Sequence, residues 1–258
     1  MTAIRIGVQL HPQQTSFAEY RQAWLQMDEL GVDSLWSWDH FFPLYGDRNG
    51  PRFEAWTTLA VLGPQTRRAR VGCLVLSMGY RNPALLSAMA TTLDHATNGR
   101  LILGLGAGWY QRDYREYGYD FGTAGRRLKT LERGLEIIKE RWRKDKPPPV
   151  HGHIPILIGG GGERVTLRIT AQHADLWNSF GPAGQWQRKN RILDDWCRKV
   201  GRDPAAIERT VSIDDPDPRR LDDLVRVGAT HVILELGTPF DPAPVERLLA
   251  WRDRVRVA

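Results

Sequence analysis

The stretch RVGCLVLSMGYRNPALLSAMATTLDHATNGRLILGLGAG, residues 70–108, decides the architecture. It opens on an apolar, β-rich run (residues 70–77) and closes on a second (residues 100–108). The segment between them reads as a helix over residues 83–96. Asn82 offers an N-cap oxygen, Pro83 takes the first helical position where a missing N–H costs nothing, and Gly99 marks the end. A strand, a crossover helix and a second strand make one right-handed βαβ unit of a parallel sheet.

The same alternation recurs on both sides of this unit. Toward the N-terminus, IRIGVQL (residues 4–10) precedes a helix over residues 16–30, where Phe17, Tyr20, Trp24 and Met27 share one face and Gly31 stops the chain. DSLWSWDHF (residues 33–41) then precedes the helix FEAWTTLAVL. Toward the C-terminus, the helix RLKTLERGLEIIKERW carries Leu128, Leu131, Leu135 and Ile138 on one side and breaks at KPPPVHGH. IPILIGG pairs with ERVTLRITAQHA, and DLWNSFG with a helix over residues 185–200. A short strand over residues 210–214 meets a short helix over 221–227, and HVILELG (residues 231–237) meets VERLLAWRDRV. Eight strand–helix pairs in 258 residues, without a break in composition, predict one α/β domain over residues 1–258, a (β/α)8 TIM barrel. A doubly wound open sheet is the alternative.

Composition sets the outer bounds. With 41% hydrophobic and 26% charged residues the chain has the make-up of a folded domain. Its longest uncharged apolar run, residues 71–80, is shorter than the roughly 18 residues a membrane helix needs. The opening residues pass straight into a strand pattern without an export signal, and Cys73 and Cys197 lack metal-ligand spacing, so a reduced, cytoplasmic setting is expected. The net charge of +6 is interleaved with acidic residues and accompanies no nucleic-acid motif; neither nucleic acid nor membrane is expected as a partner. An anionic small ligand suits the basic excess better.

In such a barrel the chemistry sits where strands end at the C-terminal rim. The residues expected there are His11; Asp39 and His40; Ser77; Gly106, Gly108 and Trp109; Gly159, Gly160, Gly161 and Gly162; Asn178 and Ser179; Asp214; and Glu235. Asp39–His40 is the sharpest acid/base candidate, since imidazole titrates near neutrality and a carboxylate tunes it. Strand alternation puts Leu35, Ser37 and Asp39 on one face and Trp36, Trp38 and His40 on the other. The tryptophans are expected outside, against helices, and Asp39 inside; His40 reaches the same mouth only if the strand twists or bulges into FFPLYGDRNG. A structural histidine packed beneath that loop is the competing reading.

GGGGE, residues 159–163, lies between a strand and a helix, where free N–H groups and close backbone approach suit a phosphate, although a tight corner alone would also use glycine. GLGAG leaves room for a flat ligand near the barrel axis. Trp38, Phe41, Phe42, Tyr80, Trp109 and Tyr110 form an aromatic set near the strand ends, with Trp109 expected in the pocket. HExxH, paired CxxC and GxSxG are absent, so neither a metal site nor a serine hydrolase is expected.

Five segments, WDHF (38–41), YRNPALLSAMATTLD (80–94), GRLILGLGAGWY (99–110), PILIGGGGE (155–163) and ADLWN (174–178), resemble the luciferase-like monooxygenase superfamily. The likeness runs from about residue 4 to 201 and is strongest to its coenzyme F420 (deazaflavin) dependent oxidoreductases. It implies a (β/α)8 barrel, commonly a homodimer, that transfers a hydride between F420 and a small organic substrate. It further implies that Asp39 faces the deazaflavin ring and His40 donates or accepts the proton. Ser77, Ala107, Gly108 and Gly159 would lie along the cofactor, Leu74–Val75 would form a non-prolyl cis peptide behind the ring, and Gly160, Gly161 and Gly162 would hold the phosphate.

The chain departs from the sugar-phosphate dehydrogenases of this group, which carry glutamates where it has Trp109 and His11; these, with Asn178, become the expected substrate pocket. The short DDPDPRR connection, where relatives often carry a larger insertion, points to a pocket left open or completed by a second subunit. Three alternatives stand beside an F420-dependent oxidoreductase: an FMN-dependent monooxygenase, a non-catalytic flavin or deazaflavin binder, and an unrelated phosphate-binding barrel enzyme. The last lacks a strand-end lysine for Schiff-base chemistry.

Overall fold

Alternation along the first strand already separates the two faces of the sheet. In β1 (Arg5–Leu10), Ile6, Val8 and Leu10 belong to the same apolar cluster as Tyr20, Trp24 and Met27 of α1 (Phe17–Leu30), while Gly7 turns toward Ser34, Trp36 and His231. α1 starts at a reciprocal capping box between Ser16 and Glu19 and stops at left-handed Gly31, devices each worth about 1 kcal/mol.

A computed structural model of the protein describes residues 4–257. β2 (Ser34–Ser37) is followed by α2 (Ala55–Leu62); β3 (Arg70–Cys73) and β4 (Leu76–Ser77) by α3 (Pro83–Ala96); and β5 (Leu101–Gly106) by α4 (Gln111–Glu116) and α5 (Ala124–Lys144). β6 (Ile156–Gly159), β7 (Leu176–Phe180), β8 (Glu208–Ile213) and β9 (His231–Leu236) alternate with α6 (Thr166–His173), α7 (Ala183–Lys199), α8 (Pro218–Arg226) and α9 (Ala243–Val257). All neighbouring strands are parallel, and the order β3-β2-β1-β9-β8-β7-β6-β5-β4 closes through β3–β5. β3 and β4 form one stave, interrupted at a cis Leu74–Val75 peptide, which leaves an eight-stave (β/α)8 barrel. Among the described residues, no helix is long and apolar enough to cross a membrane.

The expected facing of β2 is reversed. Trp36 is fully buried inside the barrel among Leu74, Ile102, Leu157, Leu176 and Ile233, whereas Leu35 joins the outer cluster and the Ser37 hydroxyl meets Tyr20 Oη of α1 at 3.3 Å. Glycines on both flanking strands make room for the indole: a Cβ on Gly72 would lie 2.8 Å from the Trp36 ring, and one on Gly7 3.1 Å from its Nε1. Trp38 also turns inward. Because β2 ends at Ser37, its alternation does not govern Asp39 and His40, and both reach the mouth. Two smaller differences follow from side-chain contacts. α4 forms ahead of the expected RLKTLERGLEIIKERW helix, anchored by buried Asp113 and Tyr114, and the short strand expected over residues 210–214 runs from Glu208 to Ile213, held on both sides by β7 and β9.

Candidate active site

At the C-terminal ends of the strands the barrel opens into a cavity of about 430 Å³, within the range of small-molecule sites. Its base is made by the break in the third stave. Val75 fills the groove that Gly106 and Gly159 leave open; a Cβ on either would come within 2.7 or 2.9 Å of a valine methyl. Gln9 Nε2 donates to the Leu74 carbonyl at 2.6 Å, fixing this segment from the opposite side of the barrel.

Asp39 sits in the wall, but in an ion pair. Arg81 donates to both its oxygens, at 2.6 and 2.9 Å, and to Glu54 Oε1 at 2.6 Å, while the Ser77 N–H reaches Asp39 Oδ2 at 3.0 Å. Burial opposes the charge on Arg81, yet Asp39 and then Glu54 hold its pKa above the ordinary guanidinium value. Asp39 is therefore committed to holding the ends of β2 and β4 together, with Arg81 tying both to the start of α2.

His40 is the group left with a free nitrogen at the mouth. Its Nδ1 lies 2.7 Å from Oδ2 of fully buried Asp113 on α4, whose Oδ1 accepts the Phe41 N–H at 2.9 Å and whose Oδ2 also accepts from Tyr80 Oη at 3.2 Å. An ionised carboxylate only accepts, so Nδ1 carries the proton and Nε2 is the ring nitrogen available to a ligand. Trp109 and Tyr110 meet the imidazole edge-on, each with centroids 5.6 Å away. Trp109 is 64% exposed and overhangs the opening.

Ser77 Oγ and Tyr114 Oη lie 2.7 Å apart under Gly108, whose φ of +79° and proximity to both hydroxyls leave no room for a side chain. Across the cavity stand Gly159, Gly160 and Thr166. α6 has Val165 at its N-cap, which supplies no side-chain acceptor; the Leu167 N–H is spent on the Gly162 carbonyl at 3.0 Å, which leaves the N–H of cavity-lining Thr166 to an anion. Gly161 packs close to Lys189 instead, and neither it nor Gly162 lines the cavity.

The remaining wall comes from β7, β8, β9 and β1. Thr210 Oγ1 donates to Asn178 Oδ1 at 2.8 Å, and Asn178 Nδ2 donates to Ser212 Oγ at 3.1 Å, so Asn178 is internally satisfied. Glu235 projects into the cavity with its pKa raised by burial and secondarily by Asp214. Of the expected site residues, Asp39, His40, Leu74, Val75, Ser77, Ala107, Gly108, Gly159, Gly160, Trp109 and Asn178 share this one cavity. His11 does not line it: the ring stacks behind Trp38 at 4.0 Å, its Nδ1 meets Tyr45 Oη and its Nε2 has no partner.

Comparison with known proteins matches residues 1–216 to the family described as Luciferase-like monooxygenase. The chain belongs to this family. An uncharacterised protein of Mycobacterium tuberculosis (strain H37Rv) is 27% identical over 226 residues, covering 79% of this chain and 78% of that protein. An F420-dependent glucose-6-phosphate dehydrogenase of Kineococcus radiotolerans is 24% identical to this luciferase-like chain over 279 residues, covering 95% and 82%. The solved structure of an F420-dependent secondary alcohol dehydrogenase, in complex with an F420-acetone adduct, superposes with a TM-score of 0.84 over 96% of this chain and 99% of that one, at 15% identity. A deazaflavin- or flavin-type cofactor fits the family, and the luciferase-like cavity itself fits such a group: a smooth base at Val75, glycine-lined walls and the start of α6, with Thr166, at the far end.

Proposed function

We propose that this luciferase-like protein is a coenzyme F420-dependent oxidoreductase that moves a hydride between the cofactor and a small organic substrate. The observation that carries the reading is the buried Asp113–His40 pair, which leaves one imidazole nitrogen at the mouth of the glycine-lined cavity. Bound across the strand ends, a reduced deazaflavin supplies the hydride. The protein's part is positioning and proton transfer. Leu74, Val75 and Ser77 would back the ring; Ala107, Gly108 and Gly159 would flank it; Gly160 and the first turn of α6 would take the phosphate.

In the reducing direction the carbonyl carbon of the substrate gains the hydride and its oxygen takes the proton from Nε2 of protonated His40. The imidazole is left neutral, with its Nδ1 proton still on Asp113. In the oxidising direction neutral Nε2 accepts the hydroxyl proton as the hydride leaves. Asp39, held by Arg81, keeps the β2 end in place and takes no part in the proton transfer.

Fluorescence titration of the purified protein with F420 and, separately, FMN tests the cofactor; binding of FMN alone rejects the proposal in favour of an oxygen-dependent monooxygenase. Turnover of a carbonyl and enone panel with reduced F420 tests the chemistry. His40→Asn is expected to keep F420 affinity and lose about 10² to 10⁴ in turnover. Unchanged turnover in that variant would remove His40 from the reaction, and binding without any turnover would leave a non-catalytic deazaflavin carrier.

A further inference from the structure

Gln9 on β1 and Glu235 on β9 are register partners across adjacent parallel strands, and both side chains line the cavity. Gln9 spends one amide N–H on the Leu74 carbonyl, which fixes the orientation of the amide and leaves Oε1 as a free acceptor. The Glu235 carboxylate makes no hydrogen bond and no ion pair among the described residues; the Tyr45 phenol lies within reach of its charge, and the charged group that acts on it is Asp214, of the same sign. Asn178 and Ser212, further round the wall, already satisfy one another. This side of the cavity thus presents two acceptors side by side and no cation. Of the two carboxylates lining the cavity, Asp39 is neutralised by Arg81 and Glu235 is not, and no lysine or arginine side chain lines the wall. Leaving a half-buried carboxylate unpaired costs free energy, and a ligand that supplies the missing positive charge and donors recovers that cost on binding.

We infer that Glu235 and Gln9 form the substrate's recognition site, and that it takes a protonated amine or iminium nitrogen. The assignment deepens the proposed function by naming a substrate class, and it rests on that reading only for the identity of the ligand as the hydride partner. A nitrogen with two or more N–H bonds can donate to both Glu235 and Gln9 Oε1. A neutral alcohol can donate to only one of them, and a carboxylate is repelled. Burial raises the Glu235 pKa in the empty protein, as expected of a carboxyl that waits for its cation.

The test uses the full chain without cofactor, so that failure of the F420 assignment does not confound it. Trp38 and Trp109 line the same cavity and serve as fluorescence reporters. At pH 7 the protein is titrated with cyclohexylmethylamine, cyclohexylmethanol and cyclohexanecarboxylate, which share one ring and differ in charge. The amine is expected to bind at least tenfold more tightly than the alcohol, and the carboxylate more weakly than either. Glu235→Gln keeps the shape of the side chain and is expected to bring the amine to within twofold of the alcohol while the alcohol's affinity stays put. With reduced F420, the same variant is expected to raise KM for an amino ketone at least tenfold over wild type with kcat within threefold. Equal affinities for amine and alcohol in the wild type, or an amine preference that survives Glu235→Gln, overturns the inference whether or not F420 binds.

Discussion

Arg81 joins Asp39, Glu54 and the turn after β4, so its removal offers a direct measure of what holds the mouth together. In Arg81→Met the apolar stem is kept and the guanidinium is lost. The Asp39 side chain is 1% exposed and Arg81 11%, so solvent does little to compensate the stranded carboxylate. Glu54, 34% exposed, keeps its bonds to the N–H groups of Trp56 and Thr57 and suffers less. Breaking a buried pair by removing one partner costs about 3 to 5 kcal/mol. At roughly 2 to 4 °C per kcal/mol for a domain of this size, the melting temperature should fall by about 6 to 20 °C. Asp39→Asn introduced into Arg81→Met removes the orphaned charge while retaining an oxygen for the Ser77 N–H. That double variant should recover at least half of the loss. Thermal and urea unfolding of the wild type, Arg81→Met, Asp39→Asn alone and the double variant measure the cycle. A loss below about 1 kcal/mol in Arg81→Met, or a double variant no more stable than Arg81→Met, would refute the account of Asp39 as a buried, neutralised anchor.

Burial brings the His11 pKa down to about 4 from its ordinary value of 6.5. The unfolded chain therefore binds the extra proton first, so stability from this group is fully present above pH 6.5 and is lost as pH falls toward 4, by about 3 kcal/mol. His11→Phe should flatten that part of a stability-against-pH curve, read by urea unfolding; an unchanged slope would count against it. Asp113→Asn presents an amide to His40 Nδ1 and disturbs the tautomer, so turnover should fall about 10²-fold with F420 affinity unchanged, followed by steady-state kinetics and cofactor titration. Gly72→Ala sets a methyl 2.5 Å from the Ile102 carbonyl and 2.8 Å from Trp36, and should cost about 1 to 3 kcal/mol in unfolding free energy.

The barrel was legible because helical and strand periods alternate along the chain and because Ser16, Asn82, Gly31 and Gly99 mark where elements begin or end. The facing of β2 was not. Bulk alone sends a tryptophan to the outside of a small barrel, and only the glycines two strands' width around Trp36 show that the interior has been cleared for it. Asp39 and His40 were legible as a polar pair at a strand end, but their partners lie 42 and 73 residues away. Arg81 was in view within YRNP without a partner; a carboxylate expected inside a barrel demands a cation, and that demand was the available signal. Asp113 was hidden in QRDYRE because so short a helix as α4 leaves little periodicity. The tetraglycine read as a uniform cradle, yet the chain turns away after Gly160 and gives Gly161 to Lys189.

Trp36 has a kinetic consequence. The indole and its aliphatic neighbours stopper the bore below the cavity, so guests enter from the strand-end mouth, overhung by Trp109. Two guests sharing such a blind cup cannot come and go independently. Whichever settles against the bottom must arrive first and depart last, and initial-rate patterns should show compulsory order rather than random traffic.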